Sequence, residues 1–318
     1  MQKITLGRTG LSASVAGLGC GGHSRLGQSY GHSEAQSVDL VKAAIDEGVN
    51  LIDTAAAYGT EEIVGKAVSG IRDQIIISTK QQVKYSAKSG KRGDLISAAS
   101  FTELVEDNLK RLGTDYLDIL HLHGVMSDQY DFCLEELVPA LIRMQEQGKI
   151  RFIGITERFV SDPGHAMLQR ALEDDCWDVV MTGFNIINPS ARNTVFPILA
   201  EKEIGSLIMF AVRRALANPE ALREIVAGLI VEGQIDGDIV DQEDPLGFIV
   251  ASGTAESVIE AAYRFCRQEP GSHVVLTGTG SVEHLKQNLA SIQTDPLSAE
   301  ISRQLADLFG AVDTVTGN

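Results

Sequence analysis

Cysteine is scarce in this sequence, and its spacing argues against a metal centre. The 318 residues include only four cysteines, at positions 20, 133, 176 and 266, and none of them forms a CxxC pair or belongs to a histidine-rich cluster. A chain of this length can build its core without disulfide bonds. We therefore expect no bound metal, no required disulfide and a reducing, cytoplasmic location.

Positive charge is scarce as well. The chain has 27 Lys and Arg residues against 43 Asp and Glu residues, which gives a formal net charge of −16 at pH 7. A surface that binds nucleic acid or an acidic membrane needs clustered Lys and Arg side chains. We therefore expect neither partner, and the charge mainly favours solubility.

Long apolar runs are missing too. No window approaches the roughly 18 consecutive apolar residues that a membrane-spanning helix needs. The start of the chain, MQKIT, has no apolar signal core. The sequence therefore predicts a protein that neither spans a membrane nor is exported.

Short runs of β-branched residues alternate with stretches of helical periodicity. In residues 33–48, Val38, Val41 and Ile45 recur at helical spacing. Ser33 and Gly48 fit the N-terminal and C-terminal caps of that helix. The strand candidates lie at residues 15–18, 49–53, 75–80, 117–123, 150–156, 179–184, 206–211 and 274–277.

This alternation predicts an α/β fold, a single (β/α)8 TIM barrel over residues 1–318. Repeated βα units give parallel strands with right-handed crossovers, and eight such strands can close into a barrel. We also expect an N-terminal β-hairpin and a long loop after strand 7. An open doubly wound sheet is the alternative, ranked second because we assign no dinucleotide-binding glycine loop after its first strand.

Ionisable side chains lie where successive predicted strands end. Asp53 ends the second strand candidate, and Tyr58 follows five residues later. Lys80 ends the third candidate and His123 the fourth. Loops at the carboxyl ends of barrel strands surround one basin, so we expect these side chains to converge. His121 shares the face of His123 one layer deeper, and we interpret it as a core histidine.

The four converging residues form a coherent proton-transfer site. A phenol has a reference pKa near 10, and a neighbouring ammonium favours its ionised form. Lys80 would supply that charge, and Asp53 would hold Lys80 in place. His123 can donate a hydrogen bond to a carbonyl oxygen, which leaves Tyr58 as the general acid.

The sequence resembles the aldo-keto reductase superfamily over nearly its whole length. The matching stretches are LGRTGL (6–11), GLGCGG (17–22), DTAAAYG (53–59), the Thr79-Lys80 strand end, LKRLGTDYLDILHLH (109–123), IGIT (153–156) and GTGSVEHLKQN (278–288). The resemblance implies an NAD(P)-dependent oxidoreductase that transfers a hydride between nicotinamide and a carbonyl or alcohol. It also implies that Asp53, Tyr58, Lys80 and His123 are the catalytic tetrad.

The resemblance further implies a set of cofactor contacts around the barrel mouth. Thr156-Glu157 and Met181 depart from the Ser or Asn and the Gln of many relatives, so nicotinamide orientation is expected to use other partners. Phe184, Met209 and Phe210 are candidates to stack on nicotinamide, with simple packing as the alternative. The full cofactor set is Gly21, Asp53, Thr156, Met181, Met209, Phe210, Gly278, Thr279, Gly280, His284, Gln287 and Asn288.

NADPH is the expected cofactor, with NADH left open. Many relatives place a Lys or Arg near the last strand to pair with the 2′-phosphate of NADPH. Residues 278–284 offer no such group. Phosphate recognition would then depend on backbone N–H groups, hydroxyls and the start of the helix from Val282.

The expected substrate is a small carbonyl compound or a sugar. Gly124 stands where many relatives have Trp, which predicts a more open pocket for polar, sugar-like or bulky carbonyl compounds. Residues 213–253 form the longest irregular region, either a lid or a solvated acidic loop, with one short amphipathic helix at 219–232. Residues 81–93 form a second loop, which either contacts the substrate or is simply mobile. Two alternatives stay open: a sugar dehydrogenase working in the oxidative direction and a cofactor-binding regulatory subunit. A homo-oligomer is also left open.

Overall fold

An antiparallel hairpin covers the bottom of the fold. The computed structural model describes residues 1–85 and 93–318. Strand β1 (Lys3–Thr5) pairs with strand β2 (Ser12–Ser14). Leu6 and Leu11, from the connection between them, are buried in the apolar cluster that fills the barrel interior. The hairpin therefore closes the amino-terminal end of the barrel.

A closed parallel barrel forms the body of the protein. In the described residues it has eight strands, in the order β10-β3-β4-β5-β6-β7-β8-β9. The expected barrel and its N-terminal hairpin are therefore confirmed. The bounds are Ala16–Gly19 (β3), Leu51–Asp53 (β4), Ile76–Gln82 (β5), Leu117–Val125 (β6), Ile150–Glu157 (β7), Val179–Gly183 (β8), Gly205–Met209 (β9) and Val274–Thr277 (β10).

Helices surround the barrel. The helix predicted after the first barrel strand begins with a capping box in which Ser33 and Gln36 satisfy each other's backbone groups. No helix in the described ranges is long and apolar enough to span a bilayer. The α-helical segments are Glu34–Asp46 (α1), Glu61–Val68 (α2), Ala98–Leu112 (α3), Tyr130–Phe132 (α4), Val138–Glu146 (α5), Ala166–Ala171 (α6), Ala191–Thr194 (α7), Phe196–Glu201 (α8), Arg214–Ala217 (α9), Pro219–Val231 (α10), Gly247–Ala251 (α11), Val258–Gln268 (α12), Val282–Gln293 (α13) and Ala299–Phe309 (α14).

The region after β9 is more regular than its sequence suggested. Residues 213–253 were expected to be irregular apart from one short amphipathic helix, but helices α9, α10 and α11 all lie within them. In α10, Leu222, Val226 and Leu229 recur at helical spacing and are buried, which anchors this region to the barrel. The segment is therefore a helical insertion, and the acidic stretch from Asp236 to Asp244 lies between α10 and α11.

The barrel interior follows the two-residue period of a strand. Leu51, Ile76 and Ile119 belong to the inner apolar cluster, whereas their neighbours Ile52, Ile77 and Leu120 pack outward against the helices. Continuing this period toward the carboxyl ends brings polar side chains to the inner face. The barrel is therefore apolar at its base and polar at its mouth.

Glycines at 17, 19 and 22 have the spacing of a dinucleotide-binding loop, but they serve another purpose. Gly17 and Gly19 lie within β3, not in a loop that opens a helix. A Cβ on Gly17 would lie 2.7 Å from Leu276 Cδ2, so a glycine is needed for strand packing. The structure thus excludes the doubly wound alternative.

Replacing Gly7 tests the closure of the barrel base. Gly7 has φ +50°, and a Cβ there would lie 2.4 Å from the backbone oxygen of Glu203. A non-glycine residue in the left-handed region costs about 1–2 kcal/mol. We expect Gly7→Ala to lower the free energy of unfolding by more than this, because the added Cβ also clashes with Glu203. The matched control is Gly10→Ala, with φ +68° and nothing within 4 Å of the added Cβ. Urea unfolding measures both, and equal losses would contradict this role of Gly7.

Candidate active site

A buried ion pair lies at the centre of the barrel mouth. Asp53 ends β4 and Lys80 lies in the adjacent strand β5. Lys80 Nζ is 2.6 Å from Asp53 Oδ2 and 2.8 Å from the backbone oxygen of Thr54. Both charged residues are almost completely buried. Burying charges is costly unless they are paired and hydrogen-bonded, so these contacts fix the position of the ammonium.

Tyr58 and His123 complete the group that the sequence predicted. Tyr58 ends a short helical turn after β4, and its ring centroid lies 5.0 Å from Lys80 Nζ. His123, from β6, meets the Tyr58 ring edge-on with centroids 5.6 Å apart. A Cβ on Gly21 would lie 2.5 Å from a Tyr58 ring carbon, so a glycine there lets the ring lie against the backbone. The structure thus brings the four residues together.

The protonation states follow from burial and from the ion pair. Burial alone would lower the pKa of Lys80, but its ion pair and hydrogen bond with Asp53 raise the pKa above its usual value, so Lys80 remains an ammonium. Burial, with help from Lys80, lowers the pKa of His123 to about 3. His123 is therefore a neutral hydrogen-bond donor at neutral pH.

The pKa of Tyr58 departs from the sequence-based expectation. Lys80 does lower this pKa, as expected, but burial raises it by more, and the net shift is upward. The phenol is therefore protonated over the whole neutral range. This state suits a proton donor, which is the role that the sequence predicted for Tyr58.

A row of hydrogen bonds from Asp53 through Ser78 to His121 lies beneath the ion pair. Ser78 Oγ donates to Asp53 Oδ1 at 2.8 Å and lies 3.1 Å from His121 Nε2. Because the single Ser78 proton points to Asp53, His121 must carry its proton on Nε2. His121 is completely buried, so its interpretation as a core histidine is confirmed. Ser78 was missed in the sequence, although it lies two residues before Lys80 on the same face of the strand.

Comparison with known proteins identifies the family of this chain. A sequence model of the aldo/keto reductase family matches residues 18–308. This chain belongs to the aldo/keto reductase family. It is an oxidoreductase of that family, whose members use NAD(P)H.

Named relatives and a solved structure extend the match over nearly the whole chain. L-galactose dehydrogenase from Arabidopsis thaliana is 29% identical over 319 residues, covering 92% of this chain and 89% of the relative. Aldo-keto reductase YhdN from Bacillus subtilis is 28% identical, covering 90% and 88%. An aldo-keto reductase from Klebsiella pneumoniae, solved in complex with NADPH, has a TM-score of 0.68 at 23% identity and covers 99% of each chain.

The residues expected to hold nicotinamide lie in different environments in this aldo/keto reductase. Thr156 is buried, and its Oγ1 accepts the Gly124 N–H at 2.7 Å. Met181 belongs to the inner apolar cluster, and Met209 packs against it. Phe210 directly follows β9 and has φ +66°. Phe184, by contrast, is buried between Phe196 and Phe265 outside the barrel, so its expected stacking on nicotinamide is wrong.

Glu157 belongs to the Thr156-Glu157 pair that departs from the pattern of many aldo/keto reductases, and it has a structural role here. It lies next to Thr156, but its buried carboxylate accepts hydrogen bonds from Thr182 Oγ1 at 2.9 Å and the Gly183 N–H at 2.7 Å. His165 Nδ1 lies 2.8 Å from the same carboxylate. Glu157 therefore ties β7 to β8 and to the start of α6. Because these partners lie far apart in sequence, their spacing gave no signal.

The cofactor contacts expected in residues 278–288 lie at and after the start of α13. Ser281 caps this helix by accepting the His284 N–H at 3.3 Å, and Thr279 Oγ1 accepts the Ser281 N–H at 3.1 Å. Gly278 is exposed, and a Cβ on Gly280 would lie 2.7 Å from Gly27 Cα in the loop after β3. Farther along the helix, Gln287 is exposed and Asn288 donates to Thr277 Oγ1 at 2.9 Å. A helix amino terminus with free N–H groups suits phosphate, so these residues fit the cofactor.

The second predicted loop, residues 81–93, can be placed only in part. Residues 86–92 lie outside the described part of the chain. On either side of them, Lys84 and Leu95 form an antiparallel bridge. The described ends of this loop are therefore held together next to β5.

Replacing Ser78 tests the row of hydrogen bonds beneath the ion pair. Ser78→Ala leaves a carboxylate oxygen of Asp53 and the His121 Nε2–H without their partner in a buried layer. We expect a loss of about 1–3 kcal/mol in the free energy of unfolding, measured with urea. The control is Ser161→Ala, an exposed residue at which a change within about 0.5 kcal/mol is expected. If the free energy of unfolding of Ser78→Ala were unchanged, the hydrogen bonds of Ser78 would contribute nothing to stability.

Proposed function

We propose that this protein is an NAD(P)H-dependent enzyme that transfers a hydride between nicotinamide and a carbonyl or alcohol carbon. The observation that carries the proposal is the buried Lys80 ammonium, 2.6 Å from Asp53 and 5.0 Å from the Tyr58 ring centroid. A neutral His123 lies against the same ring. A proton donor, its stabilising charge and a second hydrogen-bond donor thus occupy one site.

Each residue of this site has a defined task. When bound, the nicotinamide supplies the hydride in reduction and accepts it in oxidation. Tyr58 donates its hydroxyl proton to the carbonyl oxygen, which becomes the alcohol, and the Lys80 ammonium stabilises the phenolate that remains. The neutral His123 donates an N–H to the same oxygen and stabilises its developing charge. Solvent then returns a proton to Tyr58, and the oxidative direction runs through the same steps reversed.

NADPH is the proposed first cofactor, with NADH as the second candidate. The loop from Gly278 to Ser281 and the first turn of α13 offer hydroxyls and backbone N–H groups to phosphate. Lys286 is the nearest cation in sequence, but its Nζ pairs with Glu47 Oε1 at 3.1 Å. A strong preference for the 2′-phosphate is therefore not expected. Fluorescence titration with NADPH and with NADH measures this difference.

A small carbonyl compound or a sugar is the proposed substrate. Gly124 carries no side chain beside the tetrad histidine, and its φ of +61° favours glycine there. The absence of a large ring at this position supports an open, polar entrance. The name of the relative L-galactose dehydrogenase also motivates testing sugars in the oxidative direction.

Replacing Tyr58 tests the chemistry. Loss of a general acid typically costs 10²–10⁴-fold in rate. We therefore expect Tyr58→Phe to lower kcat for aldehyde reduction by about that factor. The dissociation constant for NADPH should change little, because the hydroxyl acts on the substrate. Steady-state kinetics with a panel of reactive aldehydes and aldoses gives the first quantity, and NADPH fluorescence gives the second.

The control for this experiment is Tyr116→Phe. Tyr116 stacks under Arg72 at 4.0 Å, away from the barrel mouth, and its loss should leave kcat unchanged. Full activity of Tyr58→Phe would overturn the mechanism. Tight cofactor binding by the wild-type protein without turnover of any compound in the panel would instead favour the regulatory-subunit alternative.

A further inference from the structure

Two arginines from different loops lie beside Tyr58. Arg25, in the loop after β3, donates from Nε to the backbone oxygen of Tyr58 at 2.8 Å. Arg213 follows β9, and its guanidinium carbon lies 4.1 Å from the centroid of the Phe210 ring. Arg213 is near enough to Tyr58 for its charge to act on the ionised form of that phenol. The barrel mouth thus has two cationic groups besides Lys80, whose charge is paired with Asp53.

Neither guanidinium has an acidic partner among the described residues. The chain has a formal net charge of −16, and carboxylates are plentiful on its surface. Within residues 1–85 and 93–318, the one side-chain acceptor of Arg213 is the neutral Asn318 Oδ1, 2.7 Å from its Nε. Eight other arginines of the described part do form ion pairs, namely Arg8, Arg72, Arg111, Arg151, Arg170, Arg192, Arg214 and Arg264. Five more described arginines also form none, so it is the position at the barrel mouth that distinguishes Arg25 and Arg213.

Arg213 is held in place before any anion arrives. Its planar group stacks on Phe210, and the Phe210 ring in turn meets Phe159 edge-on with centroids 5.4 Å apart. Phe159 fits because residue 183 is glycine, where a Cβ would lie 2.3 Å from the ring. A stacked, half-buried guanidinium loses little further freedom when it binds a planar carboxylate. Burial also lowers the pKa of Arg213, which reflects the cost of an unneutralised charge there.

We propose that Arg213, assisted by Arg25, binds a carboxylate of the substrate, so that the preferred substrates are carbonyl compounds that are also acids. Aldehyde acids and uronic acids belong to this class. The inference builds on the proposed function, because it places the carboxylate relative to a carbonyl at Tyr58. A phosphate of the cofactor is the other anion that could reach Arg213, and the experiment must separate the two.

The test compares an acid with its neutral ester. The probes are 4-carboxybenzaldehyde and methyl 4-formylbenzoate, which share the same reactive aldehyde. We expect kcat/KM of the wild-type enzyme to be at least about tenfold higher for the acid than for the ester, because one charge-assisted contact accounts for a factor of that size. Arg213→Gln should remove that preference, and Arg213→Lys should keep part of it because the charge remains. Arg25→Gln should reduce it to a smaller extent.

Arg214→Gln is the matched control. Arg214 is the next residue, exposed, and 3.6 Å from Glu224, so its replacement should leave the preference for the acid intact. Equal kcat/KM for acid and ester in the wild-type enzyme would overturn the inference. So would an Arg213→Gln enzyme that keeps the preference but binds NADPH tenfold more weakly, since the guanidinium would then serve the cofactor.

A binding measurement separates this inference from the proposed function. In the NADP⁺-loaded protein no hydride is available, so calorimetry reports binding of the acid and of the ester without turnover. Tighter binding of the acid that depends on Arg213 would support the carboxylate site even if no aldehyde were reduced. Equal binding of acid and ester would count against the site whatever the activity.

Discussion

The ion pair between Lys80 and Asp53 is the interaction on which the site depends. Two charges removed from water cost several kcal/mol each unless geometry and further hydrogen bonds compensate. Here the compensation comes from the Thr54 carbonyl and from Ser78, both within hydrogen-bond distance of the pair. The ammonium is therefore fixed and remains charged next to Tyr58. Burial lowers the pKa of His123 and the same charge lowers it further, so burial and one cation together keep this histidine neutral.

The barrel explains how these residues can meet. The barrel interior is apolar at its base, which the hairpin closes, and polar at its mouth. At the mouth, Asp53, Ser78 and Lys80 continue the rows of inward-facing side chains. The loops add further side chains around this polar mouth. The loop after β3 brings Arg25 and Gly27, and the segment after β9 brings Phe210 and its stacked arginine. A rigid scaffold thus presents a fixed tetrad with variable surroundings.

The sequence predicted the regular part of this structure and much less of its surroundings. Strand periodicity located all the barrel strands to within a few residues and placed Asp53, Lys80 and His123 at their ends, because period and burial are local properties. Burial of Tyr58 could not be foreseen, since it depends on Gly21 and on neighbours from other loops. Arg25 and Arg213 were missed for the same reason. The proposed role of these two arginines depends on their spatial neighbours, which come from distant parts of the sequence.

The most direct test of this account is a difference ultraviolet titration of Tyr58. Its phenolate signal is obtained by subtracting the Tyr58→Phe spectrum, once in the wild-type background and once in Lys80→Met. Because the Lys80 charge lowers the pKa of Tyr58 against the effect of burial, its removal should move that pKa higher. An equal or lower pKa of Tyr58 in Lys80→Met would show that the buried ammonium does not control the phenol.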